Sequence, residues 1–537
     1  MTRPRFLAHT VAVFVVACTT LVSAATFELT TATITEIQSA FDSGVLSSEK
    51  LVALCLARIE AYDQTGPSLN AVITVNPNAL QRARELDDER RRRGARSPMH
   101  GIPVVLKDNY DTADLPTTAG SFMLAGSLPP DDAYVVAKLR AAGAIVLAKL
   151  NMSEFASGAA LSSIAGPTRN PHDPARSPSG SSGGSGAAIA AAYAPIGFGT
   201  DTGGSVRGPA AANGIVGLKT THGLLSRDGI VPLGLSFDTA GPMARDVESV
   251  AIVLGTLTGV DPADHSTRKS DGKFDTDYTR FLNRDALRGA RVGIARDFLE
   301  SDPDVDWVVE ASLAAIRDAG ATVVEVRFPE WLLDSERKFY DVIRHREFPA
   351  QIKEYLATLD DGYPKTLDEL VARSMKLTSP SEQGYVPNPS RWNLMKRELD
   401  AGSLEDYEYL SVHEHGLPLI RGIIEGILNA EQLDAIVYPS APRRPSRRDA
   451  DPGTSVGGPS PVRLANMSGF PDLIVPAGFT GTGLPVCLSF LGPAFGESRL
   501  IALGYAFEQA TKAQRLPAHT PPLPGERFDY EPISAQQ

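Results

Sequence analysis

The chain has 537 residues, 42% hydrophobic and 22% charged, the balance of an ordinary soluble globular protein with length for about three domains on size alone. Its net charge of −12 leaves no electrostatic footprint for nucleic acid. The single basic run, Arg90 to Arg93, follows Asp87, Asp88 and Glu89 and reads as a solvated helix end.

Residues 1–24 read as a secretory signal: Arg3 and Arg5 make a basic start, residues 6–21 are mostly apolar, and Val22-Ser23-Ala24 offers small residues for cleavage. Residues 25–537 would then form the mature chain, secreted or periplasmic. Two rivals remain. One is an uncleaved membrane anchor, because the apolar stretch approaches bilayer length. The other is lipidation at Cys18, because Val15-Val16-Ala17-Cys18 loosely resembles a lipobox, although apolar residues continue past it. Beyond the signal only Cys55 and Cys487 remain, and one pair so far apart in sequence leaves a disulfide open. His413-Glu414-His415 is the sole close histidine pair, and without further ligands it predicts a surface helix rather than a metal site.

Taken in order, Thr33 with Glu36 forms a capping-box pattern that predicts a first helix. Ser47 or Ser48 caps a second, whose Leu51, Leu54, Cys55, Ile59 and Tyr62 share one face. Residues 71–75 predict a short strand and residues 78–93 a polar helix. From Gly101 short apolar runs alternate with helical stretches. Strands are predicted at 103–107, 144–148, 196–199 and 215–218, and helices at 133–142, 186–193 and near 246–255. This alternation is that of an α/β layered domain. Residues 261–277 are polar and predict a surface loop. Strand patterns return at 291–295 and 322–326 on either side of a helix. Residues 331–430 are mainly helical, interrupted at 378–391 by three prolines. Strands at 435–438, 472–475 and 485–491 precede a closing helix at 498–511. Between them residues 439–461 form a long loop rich in proline, arginine and glycine.

The most unusual stretch is 177–219. It carries Gly180-Ser181-Ser182-Gly183-Gly184-Ser185-Gly186 and Gly203-Gly204-Ser205, separated by an alanine-rich run and a short apolar segment. Glycine lets backbone N–H groups approach a ligand, and serine supplies hydroxyls that relay or attack. A flexible linker would lack the helix-forming and strand-like residues between the clusters. Gly180-Ser181-Ser182-Gly183-Gly184 also satisfies G-x-S-x-G, but an α/β-hydrolase nucleophile at Ser182 needs an apolar strand just before it, and Ala175-Arg176-Ser177-Pro178 is not one.

Read with Gly101-Ile102-Pro103-Val104-Val105-Leu106-Lys107-Asp108 and Gly199-Thr200-Asp201-Thr202-Gly203-Gly204-Ser205-Val206-Arg207, the first cluster resembles the amidase signature family. The resemblance extends to Thr117-Thr118-Ala119-Gly120-Ser121, Gly166-Pro167-Thr168-Arg169-Asn170-Pro171 and Ile215-Val216-Gly217-Leu218-Lys219. Near the C-terminus it includes Ala465-Asn466-Met467-Ser468-Gly469-Phe470-Pro471 and Gly483-Leu484-Pro485-Val486. It covers most of residues 25–537 and is weakest between about 260 and 430. Ser179 stands where the family usually has glycine, which puts the local backbone shape in question.

The resemblance implies one large α/β/α layered domain over 25–537, with a central mixed β-sheet covered by helices. It implies a Ser–cis-Ser–Lys amidohydrolase without metal or organic cofactor, in which Ser205 is the nucleophile, Ser181 the bridging cis-serine and Lys107 the base. Thr202, Gly203, Gly204 and Ser205 would offer backbone N–H groups to the oxyanion. Ser182, Asp201 and Arg207 would support the loop. The residue types fit: a serine hydroxyl needs a base to attack an amide, and a neutral lysine can take a proton through an intervening hydroxyl. An unperturbed lysine would cost roughly 4 to 5 kcal/mol to deprotonate at pH 7, and burial at the end of an apolar strand lowers that cost.

The reading is therefore a secreted or envelope amidase acting on a small-molecule or peptide amide. A glutaminase subunit of a tRNA amidotransferase is the alternative, disfavoured by the signal. A catalytically inactive secreted ligand-binding homologue is another, disfavoured by the retention of Lys107, Ser181 and Ser205. The pocket is expected among residues after about 261, together with those near Met123 and Phe155.

Overall fold

The protein is described by a computed structural model over residues 25–449 and 460–532. The signal expected at 1–24, with Cys18, lies outside the described residues, as does 450–459 of the expected long loop. Eleven strands form one sheet. In chain order they are β1 Val72–Val75, β2 Pro103–Lys107, β3 Ile145–Leu150, β4 Ile196–Asp201, β5 Val216–Lys219 and β6 Thr239–Ala244. They continue with β7 Arg291–Ala295, β8 Thr322–Val326, β9 Ala435–Pro439, β10 Asp472–Phe479 and β11 Pro485–Leu491. The order across the sheet is β8-β7-β9-β11-β10-β5-β6-β4-β2-β3-β1. Pairing is mixed: β2 runs parallel to β3 and β4, whereas β4 and β5 each run antiparallel to β6. A mixed sheet covered by helices is the architecture implied above.

Strands β2, β3 and β4 are buried along their whole length, which is why they read as continuous apolar runs rather than alternating ones. β6 escapes such a reading because Gly241 and Pro242 interrupt it, yet Pro242 sits opposite Phe198 of β4 inside the sheet. The capping box at Thr33 and Glu36 is present in full. Helix α1 spans Gly183–Ala190, three residues earlier than the pattern suggested, and every residue in it is buried. Two glycine-mediated approaches seat it. A Cβ on Gly184 would lie 2.3 Å from Asn151 O, and one on Gly199 would lie 2.6 Å from Ser182 Oγ. Helix α2, Arg207–Asn213, follows β4 through the second glycine–serine turn.

The region expected to be mainly helical supplies α3 Glu330–Ala357, α4 Leu367–Ser374 and α5 Pro389–Leu399. Phe348, Ile352, Trp392 and Met395 of these helices pack in one apolar cluster with Met123, Phe155, Val231 and Leu233. That cluster closes over the loops that follow β2 and β3. Cys55 and Cys487 are separate buried thiols, not a disulfide. No helix among the described residues is long and apolar enough to cross a membrane. His413 and His415 lie in a helical turn with His413 stacked on Tyr409, and no metal-holding cluster occurs among the described residues.

The seating of α1 is open to test. Gly184→Ala meets rigid backbone carbonyls rather than a movable side chain, so thermal and denaturant melts should show a loss of about 1–3 kcal/mol or more. Gly422→Ala, in an exposed helical position with nothing within 4 Å, should be neutral or slightly stabilising. Equal effects at the two positions would contradict the packing described.

Candidate active site

Lys107 is the last residue of β2 and is fully buried. The parallel register of β2 with β4 pairs Leu106 with Phe198, so the lysine reaches past the strand end toward Thr200. Its Nζ lies 2.7 Å from Ser181 Oγ and 2.7 Å from Thr200 Oγ1. Burial pulls the amine down to about 7, against the carboxylates of Asp238 and Asp201, which favour its charged form. A base that ordinarily titrates far above neutrality is thereby half deprotonated near pH 7.

The first glycine–serine cluster is a turn entering α1, with a cis peptide between Gly180 and Ser181. Ser181 presents Oγ to Lys107 while its carbonyl accepts from Ser153 N–H at 3.0 Å. Ser182 is fully buried, and its Oγ donates to Thr200 O at 3.4 Å. Its N–H donates to Ser205 O at 3.2 Å, which ties the two serine turns together. Ser182 is thus bonded within the turn, and among the described residues no apolar strand leads into it as the G-x-S-x-G reading would need. Ser179 has φ +64°, the left-handed region that favours glycine. That conformation is the reason a serine there departs from expectation, and the turn tolerates it.

Ser205 is half-buried, just ahead of α2. The turn before it is organised by Asp201, whose carboxylate accepts from Gly204 N–H at 2.8 Å and Val206 N–H at 2.9 Å. Arg207 reaches the same carboxylate through Nη2 at 3.0 Å and Nε at 3.1 Å, and Asn466 through Nδ2 at 2.8 Å. Arg207 Nη1 also donates to Asp472 at 2.9 Å, and Tyr438 Oη to Asp472 at 2.6 Å. Burial alone would push the Asp201 carboxyl up, but the Arg207 guanidinium and these donors hold it well below the usual carboxylate range. Asp201 and Arg207 therefore act on the loop.

One expected oxyanion donor is corrected. The Gly204 N–H points to Asp201 Oδ1 and is already committed, whereas the N–H groups of Thr202, Gly203 and Ser205 carry no hydrogen bond to a described residue. Gly203 is also where the backbone faces Tyr340, whose Oη would lie 2.7 Å from an added Cβ.

Several contributors have no role assigned by the sequence reading, although Thr200 and Asn466 both stand inside motifs of the resemblance. Thr200 holds Lys107 and accepts from Asn109 Nδ2 at 3.1 Å. Asp238 and Asn466 arrive from far along the chain. Phe155 and Ala156, expected near the pocket, both take left-handed backbone, φ +46° and +53°, held by Ala119 O and Ser153 O. Ala156 then lines a void of about 10 Å³ together with Thr200, Thr202 and Asp238.

Fold and site together define an α/β amidohydrolase of the amidase-signature class. The chain belongs to the amidase family: the family model described as Amidase matches residues 50–501. It is 37% identical over 498 residues to a glutamyl-tRNA(Gln) amidotransferase subunit of Halorhodospira halophila, covering 89% of this chain and 97% of that protein. Among solved structures it is similar to the native peptide amidase of Stenotrophomonas maltophilia, with TM-score 0.83 and 38% identity over 91% of this chain and 99% of that one. An amidase family protein from Bacillus anthracis gives TM-score 0.80 and 34% identity over 91% and 92% of the two chains.

A base at Lys107 requires its neutral form, so kcat/KM on an amide should climb with pH through about 7 and level off above it. At one pH unit below the midpoint it should stand at about one-tenth of the plateau. Lys107→Ala should remove most of the turnover with the circular dichroism spectrum retained. Activity that is flat down to pH 5, or unchanged in this variant, would exclude Lys107 as the base.

Proposed function

We propose that the protein hydrolyses a carboxylic amide through an acyl-enzyme, with Ser205 as nucleophile, Ser181 as relay and Lys107 as base. The observation that carries this reading is the buried Lys107 amine 2.7 Å from Ser181 Oγ, on a turn bonded to the Ser205 carbonyl. Neutral Lys107 accepts the proton of Ser181 as Ser181 takes that of Ser205, and Ser205 Oγ adds to the carbonyl carbon. The oxyanion is received by N–H groups of Thr202, Gly203 and Ser205, each donor contributing about 3–4 kcal/mol to the transition state. Collapse breaks the C–N bond as Ser181 returns the proton to the departing nitrogen and Lys107 reprotonates Ser181. Water then attacks the ester by the same relay and frees the carboxylic acid.

Two substrate readings share this chemistry. A free-standing amidase acting on a peptide-type carboxamide is supported by the near-complete overlap with the peptide amidase. A glutaminase role within an amidotransferase is supported by the identity to glutamyl-tRNA(Gln) amidotransferase subunits along their whole length. The motifs are shared by both readings; the signal expected at residues 1–24 disfavours the second, whereas the curated relatives favour it. Export of the chain through residues 1–24 belongs to the proposal for the free-standing amidase, and N-terminal sequencing of the protein from its native cell reports on it.

A fluorophosphonate should label the wild-type protein once, on Ser205, and Ser205→Ala should abolish labelling. Label on Ser182 would overturn the assignment. Release of ammonia from peptide amides by the isolated chain supports the free-standing reading. Activity confined to glutamine, and dependent on a co-purifying protein, supports the other.

A further inference from the structure

Asp238 lies immediately before β6, whose Thr239 pairs with Asp201 at the end of β4. That antiparallel register sets Asp238 beside Thr202, the first residue of the oxyanion turn. Its Oδ1 accepts from Thr202 Oγ1, and its Oδ2 accepts from Leu233 N–H at 2.8 Å and Gly234 N–H at 3.1 Å. Asp238 is 8% exposed and lines the same void of about 10 Å³ as Thr200, the residue that holds Lys107 Nζ.

Asp238 has no direct cationic partner among the described residues, a condition shared by buried Glu347 of α3, which accepts from Ser236 N–H at 3.0 Å on the same loop. Asp201 is paired with Arg207, Asp108 with Lys149, and Asp264 with Arg227. Among the described residues no ammonium or guanidinium comes within ion-pair distance of Asp238. Burial pushes the Asp238 carboxyl up, against the hydrogen bonds from Thr202, Leu233 and Gly234 that favour its anion. That anion, with no direct counter-ion, acts on the ionisable groups around it. These are Lys107 beyond Thr200, Arg227 already engaged by Asp264, and the neutral phenol of Tyr340 stacked on Phe237. Asp201, on the far side of Thr202, is neutralised by Arg207.

We infer that Asp238 is a positioning residue for the amidase reaction: its carboxylate fixes the Thr202 end of the oxyanion turn and sets an unpaired negative charge beside the Lys107–Thr200 pair. The inference rests on the assignment of Lys107 as base. The two functions act on different steps. The hydrogen bond to Thr202 keeps the turn's N–H groups aimed while charge develops on the substrate oxygen. The charge stabilises the ammonium that forms on Lys107 when the proton arrives through Ser181, and so opposes the burial that would otherwise make this lysine too weak a base.

The two functions separate in the pH dependence of fluorophosphonate labelling, followed by intact mass. Asp238→Asn keeps the shape and an oxygen for the Leu233 and Gly234 donors, and Thr202 Oγ1 can turn to accept from the new amide. Loss of the anion should move the acid limb to lower pH by about one unit. Thr202→Val removes only the tether and should slow labelling by about tenfold or more with the limb in place. A folded Asp238→Asn protein whose limb coincides with wild type overturns the electrostatic function. Should that variant fail to fold, Thr202→Val labelled at the wild-type rate still overturns the positioning function. Failure of the parent reading is recognised separately, by wild-type protein that is not labelled on Ser205 or that shows no acid limb.

Discussion

The arrangement depends on a primary amine buried away from bulk solvent. Lys107 is enclosed at the end of β2, and its displacement from 10.5 to about 7 corresponds to about 5 kcal/mol of preference for the neutral form. That energy is drawn from the fold. The unfolded chain binds the proton up to its ordinary value, so burial lowers native stability in full below pH 7, and the loss fades as pH rises from 7 toward 10.5. A sheet buried on both sides can carry such a cost, and an exposed loop could not create it, because water would restore the ammonium.

Burial also sorts the hydroxyls. Ser181, Ser182 and Ser205 are chemically alike, yet Ser182 is buried at the start of α1, Ser181 meets the amine, and Ser205 stands half-buried at the second turn. The Ser182 N–H to Ser205 carbonyl bond couples the turns, so neither can shift without the other. The Asp201, Arg207 and Asp472 network ties the second turn to β10. Removing Arg207 would leave two buried carboxylates unpaired, at a cost of about 3–5 kcal/mol.

Much of this was legible because local chemistry expresses itself locally. Lys107 closes a buried strand, and the glycine–serine clusters mark turns that must approach other backbone closely. The α/β alternation follows from strands buried on both faces. What was hidden depends on pairing across the sheet. β6 reads poorly because Gly241 and Pro242 break its pattern, and only its partner strand shows that it is there. Asp238 is then an acid in an unremarkable loop until that strand brings it to Thr202. The Gly204 donor was misassigned because an N–H in a glycine-rich turn looks free until the carboxylate that takes it is seen.

The chemistry and the wall around it come from different parts of the chain, and their junction is specific. Lys107, the two turns and Asp238 lie within residues 107–238, whereas Phe348, Ile352 and Trp392 belong to α3 and α5. Glu154, the residue before Phe155, fastens one to the other. It accepts from Ser121 at 2.8 Å and Ser163 at 2.6 Å on the sheet side, and from Asn388 at 2.9 Å and Trp392 at 3.2 Å on the helical side. A fully buried carboxylate with four donors holds its loop tightly. The loop after β3 is thereby tied to the start of α5, so the helical layer and the strand ends hold one another in place.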